Sequence, residues 1–273
     1  MRVIAAGNQI VELIKKAQRV LVLVSPQPSA DTVSAALAMG STVESFGKTC
    51  DTVCLGQLPA QTNNLEKIST IKNKLEPVNL TVSFNWAQSM IEKVSYSVEG
   101  EKFNLIITPS GKKLDPTQVE YSYRGSQYDL VISLGVTSSS QQPTNLFDKA
   151  IFDSTTTINI DNQAGNANYG KVNIIDPDSD SVSGLVAEVF KTAGINFDAK
   201  VADYLLFGLR SATSNFDFVK NPITFEQAAF LTKIKNEASG ISLPKLEEPQ
   251  NPDSKENSED WFSPKVMRSS KVS

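Results

Sequence analysis

Three short polar stretches each begin where an apolar, β-branched run stops: SPQPSAD from Ser25, GVTSSS from Gly135 and DNQAGN from Asp161. Aspartates grouped with hydroxyls and amides at strand ends suit divalent-metal or phosphate chemistry, because loops beyond the carboxyl ends of parallel strands collect helix N-termini and unpaired backbone N–H groups. One absence narrows that chemistry. The chain contains no histidine, which removes histidine-activated nucleophiles, imidazole proton shuttles and zinc sites that need imidazole. Ser25, Ser29, Ser138, Ser139 and Ser140 therefore lack the usual base, and a Ser–Lys pair is the nucleophile that remains open to them.

These loops need a parallel sheet to bring them together, and the pattern supplies one. QIVELIKKAQ reads as a helix, RVLVLVS as a strand, ADTVSAALAMGSTVESFG as a helix and CDTVCLG as a strand, which is βαβ spacing. The same alternation returns at YDLVISLG, TTTINID, GKVNIID and in helices near 181–193 and 199–211. Residues 79–124 follow a different rule: LTVSFNW, KVSYSVEGEKFNLIITPSG and QVEYSYRG alternate polar and apolar residues, with Glu99-Gly100 and Ser110-Gly111 as turn signals. The expected architecture is α/β, a doubly wound and mostly parallel sheet flanked by helices over 1–239, interrupted by an antiparallel β-hairpin insertion at 79–124. Residues 240–273 are rich in Pro, Ser and charge and read as a disordered tail. Within it Trp261 and Phe262 are isolated apolar residues, the pattern of a short segment that docks on a partner or folds back onto its own domain.

Composition sets outer bounds. With 273 residues, 40% hydrophobic and 21% charged, the chain can bury a sizeable core. Lys plus Arg is 26 against Asp plus Glu 30, a net charge of −4, so no global positive field recruits nucleic acid or an anionic membrane. No apolar run approaches the roughly 18 residues of a membrane span, and the expected location is cytoplasmic. Cys50 and Cys54 lie on one face of a single strand, roughly 13 Å apart, too far to bridge; buried thiols are favoured over a redox pair.

In the order and spacing of these motifs the chain resembles the DHH phosphoesterase superfamily over about residues 8–235. The family's His-x-x-Pro-Asp-x-Asp motif and its small-residue helix align with Ser25-Pro26-Gln27-Pro28-Ser29-Ala30-Asp31 and TVSAALAM. Its strand ending in a metal-bridging aspartate aligns with YDLVISLGV, placing Gly135 at the bridge. Its Asp-His-His signature aligns with Asp161-Asn162-Gln163, followed by Asn166 and Tyr169-Gly170. Its last metal-binding aspartate falls on Ala212, in GLRSATSNF. The resemblance implies the family's N-terminal lobe without its metal ligands, and it gives no counterpart to the family's C-terminal substrate domain. Pairs of manganese or magnesium ions need several anionic oxygens to offset dehydration, and a serine, a glycine, two amides and an alanine supply almost none.

The expected function is therefore that of a catalytically inactive, DHH-phosphoesterase-like protein that binds or scaffolds a protein partner, with no catalytic residue, metal or cofactor. The competing expectation is a manganese- or magnesium-dependent phosphoesterase for short oligoribonucleotides or cyclic dinucleotides, rebuilt around Asp31 and Asp161. Asp31 is expected to cap the helix beginning near Thr32 rather than hold a lone ion, and Asp161 to support its loop rather than act as an acid. Asp176-Pro177-Asp178-Ser179-Asp180 lacks the turn glycine and distal glutamate of a calcium loop and is expected to cap the helix that follows. Asn162, Gln163, Asn166, Thr213 and Ser214 would form a neutral cleft, read as a relic in preference to a small-ligand site. In it the Asn162 and Gln163 side chains are expected to donate to the remaining carboxylates.

Overall fold

The computed structural model describes residues 2–75, 79–85, 90–124, 127–143 and 150–238; the Trp261-Phe262 segment lies outside them. Helix α1 (Arg2–Lys16) leads into β1 (Arg19–Val24), α2 (Ala30–Ser45) and β2 (Thr49–Cys54). The insertion carries β3 (Asn79–Ser83), β4 (Ile91–Glu99), β5 (Lys102–Pro109) and β6 (Glu120–Arg124). The chain then resumes with β7 (Leu130–Leu134), α3 (Ala150–Ser154), β8 (Thr156–Asp161), β9 (Val172–Ile175), α4 (Val182–Thr192), α5 (Ala199–Ala212) and α6 (Ile223–Ala238). Helix α1 starts seven residues before the periodic stretch at Gln9, and α6 was not anticipated from the sequence.

Five strands form one parallel sheet in the order β2-β1-β7-β8-β9. The order reverses between β1 and β7, the switch point at which doubly wound sheets open a crevice. Alternation along each strand divides the core. Val20, Val22, Val24, Ile132, Ile158 and Ile160 face the larger cluster, filled by side chains of α1, α2, α4 and α5; Leu21, Leu23 and Val131 face a smaller one closed by Ile151 of α3. Strand β7 is buried throughout and β8 from Thr157 onward, as expected for parallel strands covered on both faces.

The insertion is nested. Strand β3 pairs with β6, and between them β4 and β5 form their own antiparallel hairpin, turning at Gly100 with φ +61°. Only glycine adopts that conformation without steric cost.

Candidate functional site

The three loops share one sheet edge, as the alternation requires. The Ser25 N–H donates to the Leu134 carbonyl at 3.3 Å and the Gly135 N–H to the Ile160 carbonyl at 3.0 Å, so the ends of β1, β7 and β8 are stitched side by side. Ser25 is buried, and its Oγ accepts the Gln27 N–H at 3.3 Å. The exposed Ser29 caps α2 in a reciprocal box with Thr32: Ser29 Oγ accepts the Thr32 N–H at 3.1 Å and Thr32 Oγ1 accepts the Ser29 N–H at 3.0 Å. Ser138 and Ser140 pair their hydroxyls at 2.8 Å.

Asp31 does not cap its own helix. Ser29 fills that position, and Asp31, the second residue of α2, reaches across to α4, where its two oxygens accept the N–H groups of Val182 at 2.7 Å and Ser183 at 2.9 Å. Sequence reading found the capping chemistry and assigned it to the wrong helix, because the recipient lies 151 residues away. Gly208 of α5 closes the third side: a Cβ there would come within 2.0 Å of Ser183 Oγ and 2.9 Å of Asp31 Oδ1. Burial raises the Asp31 carboxyl to about 6, against the lowering effect of its Ser183 and Val182 hydrogen bonds.

Asp180, likewise, does not cap α4. Ser181 does, accepting the Gly184 N–H at 2.8 Å, while Asp180 accepts the N–H groups of Lys220 and Asn221 and the Thr224 hydroxyl, fixing the entry to α6. Asp176 closes its own turn through the Asp178 N–H.

Asp161 ends β8 fully buried, with burial raising its carboxyl above the ordinary range against its hydrogen bonds. Its Oδ1 accepts the backbone N–H groups of Asn162 at 2.8 Å and Gln163 at 3.3 Å, and its Oδ2 accepts Asn166 Nδ2 at 2.8 Å. The expected donors are thus corrected: the Asn162 side chain turns to the Ser179 carbonyl and that of Gln163 to Asn162, so the amide that reaches the carboxylate belongs to Asn166. The remaining Asn166 N–H donates to the Val136 carbonyl at 3.1 Å, and its Oδ1 accepts Asn159 Nδ2 at 2.7 Å and the Asn168 N–H at 2.9 Å.

The reason for these amides lies in the β8–β9 connection. Two parallel neighbours are joined by residues 162–171 with no crossover helix, so the loop's backbone groups must find partners elsewhere. Ser133, Asn159 and Asn173 stand in register across β7, β8 and β9, and the loop folds back over this polar row. Tyr169 donates to Ser133 Oγ at 2.8 Å, and Asn173 bonds both backbone groups of Gly170. Gly170 is required there, since a Cβ would meet Asn159 Cβ at 3.0 Å and the Val172 carbonyl at 2.8 Å. The row was missed in the sequence, although VISLG, INID and VNIID each interrupt a buried strand with one polar residue.

Gly135 holds φ +64°, and a Cβ on it would lie 2.5 Å from the Thr32 methyl, whose hydroxyl is tied into the capping box. A bridging carboxylate does not fit at this position. Ala212 is exposed at the end of α5, and Thr213 is buried with its hydroxyl donating to the Leu209 carbonyl at 2.7 Å; neither is joined to Asp161 by a hydrogen bond. Among the described residues no three Asp, Glu, Cys or His side chains form a group able to hold a metal, and no helix is long and apolar enough to cross a membrane. Cys50 and Cys54 are unbridged, and burial raises the Cys50 thiol to about 12. At the switch point itself, buried Gln142 donates to the Val24 carbonyl at 3.2 Å, while its Oε1 has no partner among the described residues.

No protein-family model matches the chain, and no curated protein matches it in sequence. Twenty-seven chains of solved structures do match in fold. One is an exopolyphosphatase-related protein from Bacteroides fragilis, with a TM-score of 0.59 and 12% identity over 88% of this chain and 62% of that one. The present chain thus spans less than two thirds of that protein's length, and at this identity the likeness is one of fold.

Proposed function

We propose that this chain is a degenerate DHH-phosphoesterase-like protein that serves as a cytoplasmic binding or scaffold module rather than as a metal-dependent phosphoesterase. The observation that carries this reading is that both carboxylates surviving at the strand ends are engaged by protein donors: Asp31 by two N–H groups of α4, Asp161 by two backbone N–H groups and the Asn166 amide. These bonds occupy two of the roughly four lone pairs of Asp31 and three of those of Asp161, and the position where the resemblance puts a bridging ligand is a glycine pressed against Thr32. The donor set does not fit a pair of manganese or magnesium ions, and the net charge of −4 gives no footprint for nucleic acid. The motif order and the fold shared with an exopolyphosphatase-related protein support descent from a phosphoester-cleaving ancestor.

The test is hydrolysis of a dinucleotide and of bis(p-nitrophenyl) phosphate with manganese present. The expected rate equals the protein-free background. Manganese-dependent turnover that disappears in Asp161→Asn would establish the rebuilt phosphoesterase instead.

A further inference from the structure

The β4–β5 hairpin has two unlike faces. The register pairs Val94 with Ile107, Tyr96 with Leu105 and Val98 with Phe103 on one side, and Lys93 with Thr108, Ser95 with Ile106, Ser97 with Asn104 and Glu99 with Lys102 on the other, where Ile106 is the one large apolar side chain among these pairs. The first side carries no charge and no hydroxyl other than the Tyr96 phenol. Tyr96 is 71% and Phe103 67% exposed, and Val94, Val98 and Leu105 are each more than half exposed. The two rings stack at 5.5 Å with an interplanar angle of 18°.

A lone two-stranded hairpin is marginal in water unless its apolar face packs on something, and a contiguous apolar patch of this kind on a surface marks an interaction site. We propose that the occupant is a second copy of the same hairpin, packed face to face about a two-fold axis. Two rings about two thirds exposed and three aliphatic side chains more than half exposed offer on the order of 600 Å² per copy. Full coverage of both faces then buries at most on the order of 1,200 Å², the lower end of what a stable interface needs. A face without charges is complementary to itself, and twisted two-stranded sheets stack readily face to face. A lipid surface suits it less well, because the tip (Glu99, Glu101 and Lys102) and the chain, with a net charge of −4, are both net negative and oppose anionic headgroups. Self-association through this face is independent of what the strand-end cleft does.

The test is sedimentation velocity of the full chain across a concentration series. The expected result is a monomer–dimer equilibrium with a micromolar dissociation constant, weakened about 100-fold or more by Tyr96→Lys with Phe103→Lys. Ser95→Lys, on the polar face, leaves it unchanged, and circular dichroism melts matching the parent show that each variant folds. A chain that stays monomeric at hundreds of micromolar, including one that then binds phosphatidylcholine vesicles, overturns the proposal. So does a dimer indifferent to the double substitution, or one broken equally by Ser95→Lys.

Discussion

Asp31→Ala is expected to lower the unfolding free energy by about 2–4 kcal/mol at neutral pH, since it leaves the Val182 and Ser183 N–H groups without acceptors inside a sealed helix junction. Asp31→Asn retains one acceptor and should lose roughly half of that. The two variants also carry a pH signature. The folded carboxyl titrates near 6 against an ordinary 3.8, so the proton-linked part of its contribution is fully present below about pH 4 and is lost as pH rises through about 6, leaving the two N–H acceptors as its contribution at neutral pH. Urea unfolding of the parent chain should therefore fall relative to Asp31→Asn between those limits, by on the order of 2–3 kcal/mol, and parallel profiles would show that the carboxyl is not buried as described.

Asn166→Leu is expected to cost about 3 kcal/mol, because one near-isosteric change strips Asp161 Oδ2 and the Asn168 N–H of their partner in a buried network and leaves the Val136 carbonyl with the Tyr169 hydroxyl alone. Amide hydrogen exchange should locate the damage. Protection at Ala167 and Lys171, whose N–H groups tie the loop to the Thr137 and Thr157 carbonyls, should fall further than protection in β1. A loss confined to a few tenths of a kcal/mol would mean that the loop is held by backbone bonds alone.

The parallel sheet was legible because buried strands read as continuous apolar runs and their connecting helices as periodic ones; RVLVLV and the ADTVSAALAM helix leave little choice. The insertion was legible through strand alternation and the Glu99-Gly100 turn. The nesting of β4–β5 inside the β3–β6 pair was not, since register between segments about 40 residues apart leaves no local mark. At the site, position followed from pattern and partnership did not. Asp31 and Asp180 both showed capping chemistry in the sequence, yet each serves a helix other than the one expected, because a cap read from sequence defaults to its neighbour. The polar row of Ser133, Asn159 and Asn173 went unread for a related reason. Each residue alone is a minor break in an apolar strand, and only the register across three strands makes them one hydrogen-bonded layer.

If the strand-end loops are closed by hydrogen bonds from protein amides, the full chain has no use for a divalent ion there. Calorimetric titration of manganese into chelator-treated protein, with thermal melting alongside it, is the most direct measurement. The expected result is no saturable heat and no change in melting temperature at millimolar metal. Stoichiometric binding of manganese accompanied by a melting shift of several degrees, both lost in Asp161→Asn, would contradict it.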